Sequence, residues 1–103
     1  MNYQGRWALV TGASAGIGAA FARSLAAKGA NVILVARRRE KMEELASELE
    51  REHAVETRVI AADLAKPEAP EEIYRALSTE GIAVDILINN AGFGLPGAFV
   101  DSP

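Results

Sequence analysis

Thr11-Gly12-Ala13-Ser14-Ala15-Gly16-Ile17-Gly18 follows the apolar run Trp7-Ala8-Leu9-Val10 and leads into Phe21, Leu25 and several alanines. Three glycines and one serine, with no charge among them, make a poor catalyst but a well-defined turn. After a strand, Gly12 permits a tight reversal, and Gly16 lets the backbone meet a ligand with no Cβ between them. Gly18 lets the next helix pack close to the sheet. A helix opening near Ala15 or Gly16 aims its free N–H groups into the turn, and Ser14 adds a hydroxyl donor. Such a turn is an anion site, with a pyrophosphate as its natural occupant. A glycine-rich strand-to-helix turn with no ligand is the alternative, and the neighbouring elements weigh against it.

Outward from this turn, short β-rich runs alternate with helical patterns. Arg6 to Thr11 reads as a first strand. Ile17, Ala20, Phe21, Ser24, Leu25 and Lys28 fall at helical spacing, and Gly29 is placed to end that helix. Asn31 to Ala36 is a continuous apolar strand, the pattern of one covered on both faces. Met42, Leu45, Ala46 and Leu49 form the stripe of a helix over Arg39 to Glu52. Thr57 to Ala62 is a third strand. Pro67 to Glu80 reads as a third helix, with acidic residues near its positive N-terminus and Ile73, Ala76 and Leu77 facing inward. Asp85 to Asn89 is a fourth strand.

Strands that alternate with helices imply a parallel sheet, because parallel neighbours need long crossovers. The expected fold is α/β with a Rossmann-like parallel sheet, four strands in order 3-2-1-4 and three helices. Two helices should cover one face and the third helix the other. Ligands of such sheets sit beyond the carboxyl ends of the strands where the order reverses. That point lies between the first and fourth strands and brings the glycine turn beside Asn89-Asn90-Ala91-Gly92.

Composition narrows the function classes. The 103 residues are half hydrophobic, which suits one globular unit rather than disorder. A net charge of −3 offers no cationic surplus for a nucleic-acid partner. There is no cysteine, hence no disulfide framework and no thiolate metal site. The longest apolar runs fall far short of a membrane span, and the first residues lack a secretory leader. A cytoplasmic location is the expectation. His53 stands alone near the end of a charged helix, which does not make a metal site.

Taken together, the glycine motif at 12, 16 and 18, the pair Asp63-Leu64 after the third strand, and Asn89-Asn90-Ala91-Gly92 after the fourth resemble the short-chain dehydrogenase/reductase family. The likeness covers essentially the whole chain. It implies that Gly12, Ser14, Ala15, Gly16, Ile17 and Gly18 form the pyrophosphate turn. It implies that Asp63 accepts a hydrogen bond from an adenine amino group, with the Leu64 backbone beside it. Asn90 and Gly92 would lie against the adenine ribose and help hold the fourth strand to the first. Helix capping before Lys66-Pro67 is the competing role for Asp63.

Cofactor choice is read at the end of the second strand. An NAD-type site has Asp or Glu there, bonded to the ribose hydroxyls. This chain has Ala36 and then Arg37, Arg38 and Arg39. A carboxylate would repel a 2′-phosphate, whereas Arg37 can grip it through a charge-assisted fork. NADP(H) is therefore expected over NAD(H). Arg38 and Arg39 have Glu40, Glu43 and Glu44 within pairing range. Family members that prefer NADP(H) often carry a basic residue just before the second glycine, where this chain has Ala15.

The resemblance also implies a catalytic Ser and a Tyr-x-x-x-Lys set. The tyrosines here are Tyr3 and Tyr74, followed four residues on by Trp7 and Ser78. No catalytic residue is assigned, and residues 1–103 are expected to be the dinucleotide-binding half-domain of an oxidoreductase acting on carbonyls or alcohols. A non-catalytic nucleotide-binding or interaction module, or an inert folding fragment, are the alternatives. The fourth strand is expected at an edge with neither proline nor lysine to block pairing, so a homodimer through that edge or through an uncovered sheet face is expected as well.

Overall fold

The computed structural model describes residues 2–13 and 16–90. In chain order the elements are β1 (Trp7–Thr11), α1 (Gly16–Ala27), β2 (Asn31–Ala36), α2 (Arg39–His53), β3 (Thr57–Ala61), α3 (Ala69–Thr79) and β4 (Ile86–Asn89). The four strands form one sheet in the order β3-β2-β1-β4, and every pairing is parallel. This is the Rossmann-like arrangement expected from the alternation of strands and helices.

Two apolar clusters sandwich the sheet. Ala8 and Val10 of β1, with Val32 and Leu34 of β2, face α1 and α2 and meet Ala22, Leu25, Met42 and Leu49. Leu9, Ile33 and Val35 point the other way, onto Ile73 and Leu77 of α3 and onto Val84. Because successive strand residues alternate faces, β2 is buried from Val32 to Ala36. The continuous apolar run is thus the sequence image of a strand covered on both sides.

Three departures from the sequence pattern have physical causes. The buried side of α1 is Gly18, Ala19, Ala22, Leu25 and Ala26, while Ile17 and Phe21 remain 66% and 43% exposed. Of the residues at helical spacing, only Leu25 is buried, along with small neighbours the spacing had passed over. A Cβ on Gly18 would fall on the Gly12 carbonyl oxygen and lie 2.8 Å from the Gly12 carbonyl carbon. An approach that close turns the small residues of the helix toward the sheet and its large ones away.

The other two departures concern α3 and element ends. α3 starts two residues later than expected, since Lys66 and Ala69 take part in turn hydrogen bonds to Asp63 and Lys66. Its Ala76 is exposed rather than inward, because the buried side of the helix runs through Ala69, Ile73 and Leu77. Arg6, Ala62 and Asp85 fall just outside their strands, although Ala62 N–H still donates to the Ala36 carbonyl at 2.9 Å and Asp85 N–H to that of Trp7 at 2.9 Å.

At the opposite end from the carboxyl ends of the strands, Trp7 is half-buried beneath the Arg58 guanidinium, 5.4 Å from the ring. Arg58 Nε in turn donates to Glu80 at 2.6 Å. This stack ties β1, β3 and the end of α3 together and leaves Trp7 as a packing residue. Across α1 and α2, Arg23 grips Glu48 with two donors at 2.7 and 3.2 Å. The hydrogen bond from Arg23 holds the Glu48 carboxyl below its ordinary value, and Glu48 raises that of Arg23. A carboxyl lowered on folding stabilises above its unfolded pKa, and that contribution is lost as pH falls through the lower, folded value.

Candidate nucleotide-binding site

Beyond the carboxyl ends of β1 and β4, the chain is held by a small set of hydrogen bonds. Thr11 is fully buried, and its hydroxyl donates to Asn89 Oδ1 at 3.0 Å. A further contact at 3.4 Å reaches the Ile88 carbonyl. Asn90 Nδ2 donates to the Gly12 carbonyl at 3.5 Å, so the segment after β4 touches the glycine turn itself. Ala13 N–H donates to the Val35 carbonyl at 3.3 Å and anchors the turn to β2. The opening of α1 is thereby fixed relative to three strands.

Gly12 and Gly16 both have positive φ, 64° and 59°, in the region that favours glycine. Among the described residues, a Cβ on Gly16 would meet nothing within 4 Å. Gly18 has the opposite role, as the contact point between α1 and the turn. Each glycine therefore has the geometry expected from its place in the motif. Ile17 is exposed at the mouth of the turn. Ser14, Ala15 and Gly92 lie outside the described residues.

Asp63 and Leu64 follow β3 and are half-buried, with Leu64 packed against the α3-side cluster. Asp63 Oδ1 accepts from Ala65 N–H at 3.0 Å, closing an Asx turn. One carboxylate oxygen thus serves a local turn rather than capping the helix, whose N-cap is Glu68. A carboxylate has acceptor capacity for more than one donor, so the turn does not consume it.

Past β2 and β3, Arg37, Arg38, Arg39, Glu40, Lys41 and Ala61 line an open cleft of about 610 Å³. Arg39 leans on Glu43 at 3.8 Å. Arg38, also expected to find a glutamate, makes no ion pair among the described residues, and neither do Arg37 and Lys41. The cause is local: Arg38 precedes the first turn of α2 in extended conformation, φ −108° and ψ 117°, off the helical spacing that pairs Arg39 with Glu43.

Sequence reasoning missed two residues here. Thr11, read as the last strand residue and the start of the glycine motif, is the pin between β1 and β4. Lys41, which falls outside the apolar stripe of the expected helix, lines the cationic cleft. Among the described residues no group of three or more potential metal ligands is found, and no helix is long and apolar enough to cross a membrane.

A parallel sheet with a glycine turn at its switch point and a cationic cleft past the neighbouring strands has the architecture of nucleotide-binding proteins. The profile of the short chain dehydrogenase family matches residues 6–102, and the chain belongs to that family. It is 42% identical over 101 residues to a very-long-chain 3-oxoacyl-CoA reductase of Anas platyrhynchos, covering 96% of this chain and 32% of the relative. Among solved structures, it is similar to L-sorbose reductase of Gluconobacter frateurii, complexed with NADPH and L-sorbose. The TM-score is 0.82 at 36% identity, covering 91% of this chain and 36% of the other. It is also similar to an alcohol dehydrogenase of the archaeon Thermococcus sibiricus, complexed with 5-hydroxy-NADP. There the TM-score is 0.77 at 37% identity, with 82% and 36% covered. The chain spans about a third of the length of these relatives.

Proposed function

We propose that this chain is the NADP(H)-binding part of a short-chain dehydrogenase that moves hydride between a nicotinamide cofactor and a carbonyl or alcohol. The observation that carries the cofactor choice is the cleft after β2, where Arg37 makes no ion pair among the described residues and Ala36, not a carboxylate, ends the strand. The NADP-type ligands of the sorbose reductase and the archaeal alcohol dehydrogenase support it. The glycine turn takes the pyrophosphate, Asp63 the adenine amino group, and Asn90 the adenine ribose edge. Ser14, Ala15 and Gly92 complete the contact set by their place in the motifs.

NADP(H) is expected to bind more tightly than NAD(H). One charge-assisted contact is worth roughly 1.5 to 3 kcal/mol, or about tenfold to a hundredfold in affinity. The lower part of that range is expected for Arg37, because its side chain is exposed. Titration calorimetry on the wild type and on Arg37→Ala measures this directly. Equal affinities of the wild-type chain for the two cofactors would overturn the assignment.

We also infer that residues 1–103 self-associate as a two-fold dimer. Among the described residues β4 pairs on one side only, with β1. Ile86, Leu87 and Ile88 are half-buried there, and Ile17 and Phe21 are exposed on α1. A short apolar edge with no proline or lysine recruits a second strand. Light scattering is expected to give twice the chain mass, falling to the single mass in Ile86→Lys and Ile88→Lys. A wild-type monomer at high concentration would contradict the inference.

A further inference from the structure

We propose that Lys41 is a specificity-determining residue of the nucleotide site, a second cation for the phosphate that Arg37 meets. This rests on the NADP(H) reading and extends it to a residue on α2. Lys41 and Arg37 line the same cleft of about 610 Å³, and neither is neutralised by an ion pair among the described residues. Glu40 is the only carboxylate in that lining. A phosphate monoester carries about −1.5 to −2 charges at neutral pH, more than one guanidinium balances.

The start of α2 adds donors on the same side. Arg38 occupies the N-cap and makes no side-chain cap hydrogen bond. An arginine has donors only, so it cannot satisfy the N–H groups of the first turn. Those groups, with Lys41 at the third helical position, suit an anion at this end of the cleft.

Lys41 also borders a second groove of about 230 Å³ between α1 and α2, with Ala19, Arg23, Glu44 and Glu48. Lys41 makes no ion pair with Glu44 or Glu48 of this groove, and Glu48 is turned to Arg23 instead. The family's basic residue before the second glycine is absent too, since Ala15 stands there. Of the other cations lining the cleft, Arg39 leans on Glu43, Arg38 precedes the helix, and Lys41 is the one carried on α2 with no ion pair among the described residues. Its flexible stem and compact charge suit a contact that needs reach rather than a fixed fork.

The test is calorimetric titration of the full chain with NADP+ and with NAD+, with circular dichroism to confirm that each variant is folded. Lys41→Ala is expected to weaken NADP+ binding about tenfold, with NAD+ binding held within about twofold. Lys41→Arg is expected to restore most of the loss, because charge rather than helix packing is what matters. If Arg37→Ala weakens NADP+ binding while Lys41→Ala leaves it unchanged, the role of Lys41 is overturned and the cofactor reading stands. If the wild-type chain binds NADP+ no better than NAD+, both are overturned.

Discussion

Gly18→Ala is expected to destabilise the chain by about 3 kcal/mol, although alanine is the better helix former. Gly18 lies inside α1, where propensity alone would reward the change by about 1 kcal/mol. The collision outweighs it. The added Cβ would fall on the Gly12 carbonyl oxygen, 2.8 Å from the Gly12 carbonyl carbon and 3.1 Å from Ala13 Cα. These are backbone atoms and cannot rotate aside. Ala13 N–H is bonded to Val35, and the Gly12 oxygen accepts from Asn90, so the turn can retreat only by breaking contacts with β2 and the end of β4. Gly16→Ala is the control. Its φ of 59° is costly for alanine, about 1 to 2 kcal/mol, but among the described residues its Cβ would meet nothing within 4 Å. Chemical denaturation should rank Gly18→Ala as the more damaging of the two. The reverse order would mean that backbone conformation, not the close approach of α1, dictates the motif.

That contact also explains which parts of the molecule were legible in the sequence. The strands could be read because a parallel sheet covered on both faces writes itself as continuous apolar runs, as in Val32 to Ala36. The order 3-2-1-4 followed from the alternation of elements and the handedness of crossovers. The buried side of α1 could not be read from apolar spacing. It is chosen by how closely the helix approaches Gly12, so alanines are buried and Phe21 is not. The site divides in the same way. The glycines could be read because each answers a local backbone demand. The Asx turn at Asp63 depends on a path between β3 and α3 that spacing does not specify. Lys41 was only a charge outside the apolar stripe until α2 was placed beside Arg37. Thr11 needed the register of β4, which sets Asn89 opposite it.

Leu9→Ala is expected to cost about 2 to 5 kcal/mol, a large share of the roughly 5 to 15 kcal/mol that holds a domain of this size together. Leu9 is fully buried on β1, with β2 on one side and β4 on the other. Its side chain lies in the smaller cluster, with Ile33, Val35, Ile73, Leu77 and Val84. α3 meets the sheet chiefly through Ile73 and Leu77, so a cavity at Leu9 removes much of what those two residues pack against. The loss should therefore show first as local opening of α3, before the sheet itself yields. Leu34→Ala, equally buried but facing α1 and α2, serves as the comparison. Both variants should lower the denaturation midpoint by similar amounts. Native-state hydrogen exchange should separate them, with amides of α3 exchanging faster in Leu9→Ala and those of α2 still protected. Equal acceleration in α2 and α3 would show that the two faces of the sheet unfold as one unit, and that α3 is held by more than Ile73 and Leu77.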